Sequence, residues 1–154
     1  MLNIANDLRE TVETVLPSLE EITDGDASAP RAPGKWSRKE ILGHLIDSAC
    51  NNQQKFVRTM ARTRLDFVGY EQDFWVESQK YNAADWQGLI ALWRAYNFHL
   101  AHIIEHVEPG LLENSIAIEG AGTFSLEFIM EDYVEHLKHH LLQILPGAPI
   151  ASKY

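Results

Sequence analysis

Four stretches of this chain return an apolar residue at every third or fourth position, and each is long enough for several helical turns. Ile4, Leu8, Val12, Val15, Leu16 and Leu19 mark the first, from about Asn3 to Ile22. Pro17 falls inside it, so a bend or an early stop is expected there. Ile41, Leu42, Leu45, Ile46, Ala49, Phe56, Val57 and Met60 mark the second. Leu89, Leu92, Trp93, Tyr96, Leu100, Ile103 and Val107 mark the third, from near Asp85. Met130, Tyr133, Val134, Leu137, Leu141 and Ile144 mark the fourth, which Pro146-Gly147 ends. A helix with a single apolar stripe buries it only against another element. Four such helices predict an all-α chain, a four-helix bundle over residues 1–154 as a single domain.

The boundaries carry local signals. Ser37 is a good N-cap, and Glu40 three residues on completes a capping box, with Trp36 and Ile41 placed for a hydrophobic staple. Thr123 or Ser125 caps the fourth helix. Thr23 to Lys35 is rich in Gly, Pro, Ala and Asp and is expected to be a loop. Arg62 to Ala84 is the longest connection and holds Phe67, Tyr70, Phe74, Trp75 and Tyr81. A connection beyond about 12–15 residues is usually functional, or it has to cross the length of the bundle. Leu111 to Thr123 is the other long loop. Ile116-Ala117-Ile118 could be extended, but one such piece does not make a sheet.

The formal net charge is -9, which opposes contact with a phosphate backbone, so nucleic acid is not an expected partner. No stretch approaches the ~18 uncharged apolar residues of a membrane span. The N-terminal residues have neither a basic flank nor a long apolar run, so no secretory signal is expected. One cysteine, Cys50, leaves no disulfide framework and fits a reducing cytoplasm; its place near the apolar stripe predicts a buried, inert thiol.

The chemistry resides in the histidines. His136 and His140 are spaced i,i+4, which stacks two imidazoles on one helical face. At ~100° per residue, His140 lies roughly 60° from the centre of the fourth stripe and His136 roughly 100°, while His139 points about 160° away, toward solvent. His44 flanks the second stripe beside Ser48, Asn51 and Asn52. It lies early in its helix, and His136 and His140 lie late in theirs. The three reach one level only if the second and fourth helices are antiparallel. Three imidazoles would then leave an open coordination position, as catalytic metal sites do. Asp132, one turn before His136, and Gln143, just after His140, could orient a ligand imidazole, or be exposed polar residues. A rival set, His99, His102 and His106, shares a flank of the third helix and could equally be a polar surface. There is no Gly-rich phosphate loop, no Gly-x-Ser-x-Gly and no HExxH.

Two motifs point to a family. Trp36-Ser37-Arg38-Lys39-Glu40-Ile41-Leu42-Gly43-His44-Leu45-Ile46-Asp47-Ser48 resembles the second-helix signature of the DinB/YfiT-like superfamily of metalloenzymes. Tyr133 to Ile144, with Glu135-His136-Leu137-Lys138-His139-His140 inside it, resembles the fourth-helix signature. The resemblance implies up-down-down-up topology, hence antiparallel second and fourth helices and a long connection between the second and third. It implies one divalent metal ion, zinc first and nickel as the alternative, held by His44, His136 and His140. It places Trp36, Trp86, Tyr70, Trp75 and Asn82 toward the mouth, where aromatics could line a substrate pocket or simply plug the bundle end. The activity it implies is transfer of a low-molecular-weight thiol to a small electrophile, which we favour at this point, or hydrolysis of a small amide or ester. A homodimer is expected on the same ground. A non-catalytic, stress-associated bundle that binds a ligand or partner is the alternative.

Overall fold

A computed structural model describes all residues, 1–154. Four long helices form the bundle: α1 (Leu2–Glu20), α3 (Arg38–Met60), α5 (Trp86–Glu105) and α6 (Leu126–Ile144). Two short ones, α2 (Asp24–Ser28) and α4 (Gln72–Gln79), lie in connections. α1 runs unbroken through Pro17, whose missing N–H falls on an exposed face. The apolar stripes meet in one core that includes Leu8, Val12, Leu45, Phe56, Trp93, Leu100, Met130, Leu137 and Leu141.

Helix starts follow the caps. Ser37 Oγ accepts from the Glu40 N–H and Glu40 Oε2 accepts from the Ser37 N–H at 2.7 Å, so the capping box of α3 is complete. Asp85 caps α5, and Ser125 rather than Thr123 caps α6.

Contacts fix the helix directions. Arg9 near the start of α1 pairs with Glu105 at the end of α5, and the Trp86 indole N–H at the start of α5 donates to the Leu19 carbonyl, so α1 and α5 are antiparallel. The strands that follow α3 and α5, β1 (Arg64–Phe67) and β2 (Ser115–Ile118), pair in parallel, so the C-terminal ends of those helices share one end of the bundle. His44 early in α3 meets His136 late in α6, so α3 and α6 are antiparallel. The order is up-down-down-up, as the resemblance implies.

The expectation that Ile116-Ala117-Ile118 would remain an isolated extended piece is corrected. β2 lies between β1 and β3 (Gly122–Ser125), parallel to the first and antiparallel to the second. Leu65 and Ile116 are buried from this sheet, which closes the bundle end opposite His44, His136 and His140. The Thr23–Lys35 loop contains the turn α2, capped by Thr23.

The crossover from α3 to α5 is pinned at its far end. Tyr81 packs its ring on Gly43 of α3, where an added Cβ would stand 2.2 Å from a ring carbon. Only a residue without a side chain leaves that notch.

Candidate metal centre

His44, His136 and His140 converge. Each offers a ring nitrogen, and the three atoms lie within 4.8 Å of one another. His44 Nε2 is 3.4 Å from His136 Nε2. Two nitrogens bound tetrahedrally to zinc at 2.0–2.1 Å are themselves about 3.3 Å apart, so this pair already has the spacing of a shared ion. Ring centroids are 4.7 Å apart for His44 and His140 and 4.6 Å for His136 and His140. His44 is fully buried, while the α6 histidines are half-buried.

The protonation states suit metal ligation. Burial, then the neighbouring His140 and His136, holds His44 down to about 3. Burial, then His139 and Lys55, holds His136 at about 4, and burial, then His136 and His139, brings His140 to about 4. All three are neutral at pH 7, the state in which imidazole binds metal. His44 Nδ1 and His140 Nδ1 are enclosed without hydrogen-bond partners. Three desolvated bases facing one another, with no carboxylate or thiolate among them, form a donor set that fits a divalent ion such as zinc or nickel.

The remaining expected residues sort by contact. Trp36 tilts over His44 with centroids 5.2 Å apart. It is a shared wall of two cavities: about 410 Å³ toward α4, with Val76, Tyr81 and Asn82, and about 600 Å³ toward Arg31, Lys35 and Gln143. Trp86 lines neither; it is buried and plugs the bundle end. Gln143 contacts His139 Nε2 at 3.0 Å and Arg31, and its side chain also acts on His140. The Asp132 carboxylate accepts from the Tyr154 hydroxyl. Ser48 is buried and accepts from the Asn52 amide. Tyr70 and Trp75 pack on each other.

Two further expectations are corrected. His139 does not face open solvent: it is half-buried, with the Tyr154 ring 6.2 Å away, because the C-terminal tail folds back along α6. Cys50 is half-buried rather than fully enclosed. His99, His102 and His106 are exposed along and just past the end of α5; the His102 and His106 ring centroids lie 4.2 Å apart, but the three do not gather as a trio: His106 Nδ1 bonds the His102 carbonyl, and His99 meets Gln53. The sequence presents Asp47 only as one residue of the second-helix motif; no local signal marks its burial in contact with Tyr81 and Gln79.

Fold and site together define a helical bundle with a three-imidazole cluster at one end. A family model of the DinB superfamily matches residues 7–144, and the chain belongs to that superfamily. A curated relative, "Putative metal-dependent hydrolase YfiT" of Bacillus subtilis (strain 168), is 22% identical over 138 residues, covering 89% of this chain and 78% of the relative. The solved structure of YfiT from Bacillus subtilis, described as a probable metal-dependent hydrolase with an unusual four-helix bundle topology, superposes with a TM-score of 0.85. That match has 21% identity and covers 94% of this chain and 83% of the other, so the fold is shared. No helix of the chain is long and apolar enough to cross a membrane.

Proposed function

We propose that this chain is a metal-dependent hydrolase of a small amide or ester, with His44, His136 and His140 holding one divalent ion. The observation that carries the reading is the convergence of three neutral imidazoles from two helices with no fourth protein donor among them. An ion held this way supplies a Lewis acid with one position open to water or substrate. Zinc is the expected ion and nickel the alternative.

The chain's own residues supply access and orientation. Trp36 packs on His44 and lines both cavities, neither of which is lined by a cluster histidine, so a movement of that indole would join a cavity to the cluster. Arg31 is held by the Gln143 carbonyl at 2.8 Å and its positive charge is felt at His140, which favours a substrate with an electron-rich group on that side. The name of the relative YfiT supports hydrolysis over the thiol transfer favoured from the sequence, and no residue at the mouth marks a thiol-binding site.

The test is elemental analysis of the purified protein beside His136→Ala, with hydrolysis assayed on a panel of p-nitrophenyl esters and anilides. One ion per chain, its loss in the variant, and loss of hydrolysis in both His136→Ala and His44→Ala are expected. Equal hydrolysis by His44→Ala would overturn the metal mechanism. Thiol-dependent consumption of monobromobimane without any hydrolysis would replace hydrolysis by thiol transfer.

A further inference from the structure

The fold accounts for only one oxygen of the Asp47 carboxyl. Asp47 is 2% exposed and belongs to none of the ion pairs. Its Oδ1 accepts from the Tyr81 hydroxyl and from the Gln79 amide, each at 2.7 Å. Its Oδ2 is enclosed and has no hydrogen-bond partner. A buried carboxylate oxygen left without a donor is costly, and side chains in this state are uncommon unless the oxygen serves another purpose.

One turn earlier on α3 stands the complementary group. His44 is fully buried, its Nε2 faces His136, and its Nδ1 is enclosed without a partner. Side chains three apart on a helix share a face, with Cβ atoms about 5–6 Å apart. An imidazole that gives one nitrogen to a metal carries its proton on the other, and that N–H is normally taken by a carboxylate, a carbonyl or water. α3 therefore holds an unmatched donor nitrogen and an unmatched acceptor oxygen on adjacent turns of one buried face.

We propose that Asp47 is a positioning residue of the metal centre, its Oδ2 accepting the Nδ1–H of His44 when His44 Nε2 turns to a divalent ion. The inference rests on the assignment of His44 as a ligand made above. Tyr81 and Gln79 grip the opposite oxygen and so fix the carboxyl's direction. Tyr81 reaches Asp47 because Gly43 leaves room for its ring. The crossover from α3 to α5 is in this way tied to the ligand set through one carboxylate.

The experiment compares zinc affinity, by competition with a chromophoric chelator, for wild type, Asp47→Asn and Tyr81→Phe, with the metal-free fold followed by circular dichroism. Asp47→Asn is expected to weaken zinc binding about 10–100-fold with the helical signal retained. Tyr81→Phe leaves the carboxylate in place and is expected to weaken it by a smaller factor. Nitrogen-15 NMR of the zinc-loaded wild type gives a readout that a packing role would not move. The His44 Nδ1–H resonance should be protected from exchange and shifted downfield, and Asp47→Asn should abolish that shift. Unchanged zinc affinity and an unchanged His44 Nδ1–H signal in Asp47→Asn would overturn the proposal while leaving the centre intact. An Nδ1–H that exchanges freely in the loaded wild type would overturn it without any variant. If wild type binds no zinc, or His44→Ala binds it as tightly, the ligand assignment fails and this inference falls with it.

Discussion

Gly43 shows how one residue decides a local balance. In a helix interior, alanine is favoured over glycine by about 1 kcal/mol. Here the added methyl would stand 2.2 Å from the Tyr81 ring, and the nearby ring atoms leave no flexible end to move aside. Gly43→Ala is therefore expected to destabilise the protein by about 1–3 kcal/mol despite its better propensity, read as a lower urea midpoint. In combination with Tyr81→Ala the alanine at position 43 should cost little further, since the clash is then gone. The histidines carry the second residue-scale prediction. In the unfolded chain they bind protons near pH 6.5, whereas in the fold burial holds His44 to about 3 and His136 and His140 to about 4. Between those values the unfolded state binds more protons, so metal-free stability falls as pH is lowered from about 6.5 toward 4, by up to about 1.4 kcal/mol per pH unit for each histidine. Asp47, raised by burial, acts in the opposite sense but is one group against three. Urea titrations in chelator at pH 7.5 and pH 5 should show the lower stability at pH 5.

At the scale of elements, α3 depends on its first turn. Ser37 is fully buried; its hydroxyl accepts from the Glu40 N–H and donates to Asn82 Oδ1 at 2.7 Å. Ser37→Ala removes the cap and the tie to the crossover together, and is expected to cost about 1–2 kcal/mol in equilibrium unfolding with an unchanged denaturant slope. That cap was legible because Ser37 and Glu40 are three residues apart, and the long helices because periodicity is local. The sheet was not. Arg64-Leu65-Asp66-Phe67 does alternate in burial, but each strand has four residues, and β1 finds its partner about fifty residues away. The site divides the same way. Helical phase and the i,i+4 pair put His136 and His140 on one flank, and the family resemblance joined His44 to them, whereas the environment of Asp47 comes from Gln79 and Tyr81, brought in by a crossover whose path no local pattern records. Phase also assigned His139 to solvent, and it failed there because Tyr154 returns from the tail to cover it.

Over the whole molecule, ligand binding and folding share one free energy. The proposed ligands come from helices joined only through the folded bundle, so an ion bound by the native state alone stabilises it. Zinc at 100 times its dissociation constant should add about 2.7 kcal/mol to unfolding, seen as a raised urea midpoint that His136→Ala no longer shows. The opposite end, closed by the sheet, should be unaffected: exchange protection of the Ile116 amide should keep its rank among the slow sites with or without zinc.

His44 and His136 stand 92 residues apart in sequence, and two of the three imidazoles arrive only with the last helix. On the ribosome, a nascent chain has exposed His44 long before His136 exists. The three-imidazole cluster thus cannot assemble on any partial product lacking α6, and capture of the proposed ion would fall at the end of biogenesis. Loading with the proposed ion would in that sense be a receipt for a finished fold: a chain truncated before α6, or one whose α6 has failed to dock, lacks two of the three imidazoles that would hold it.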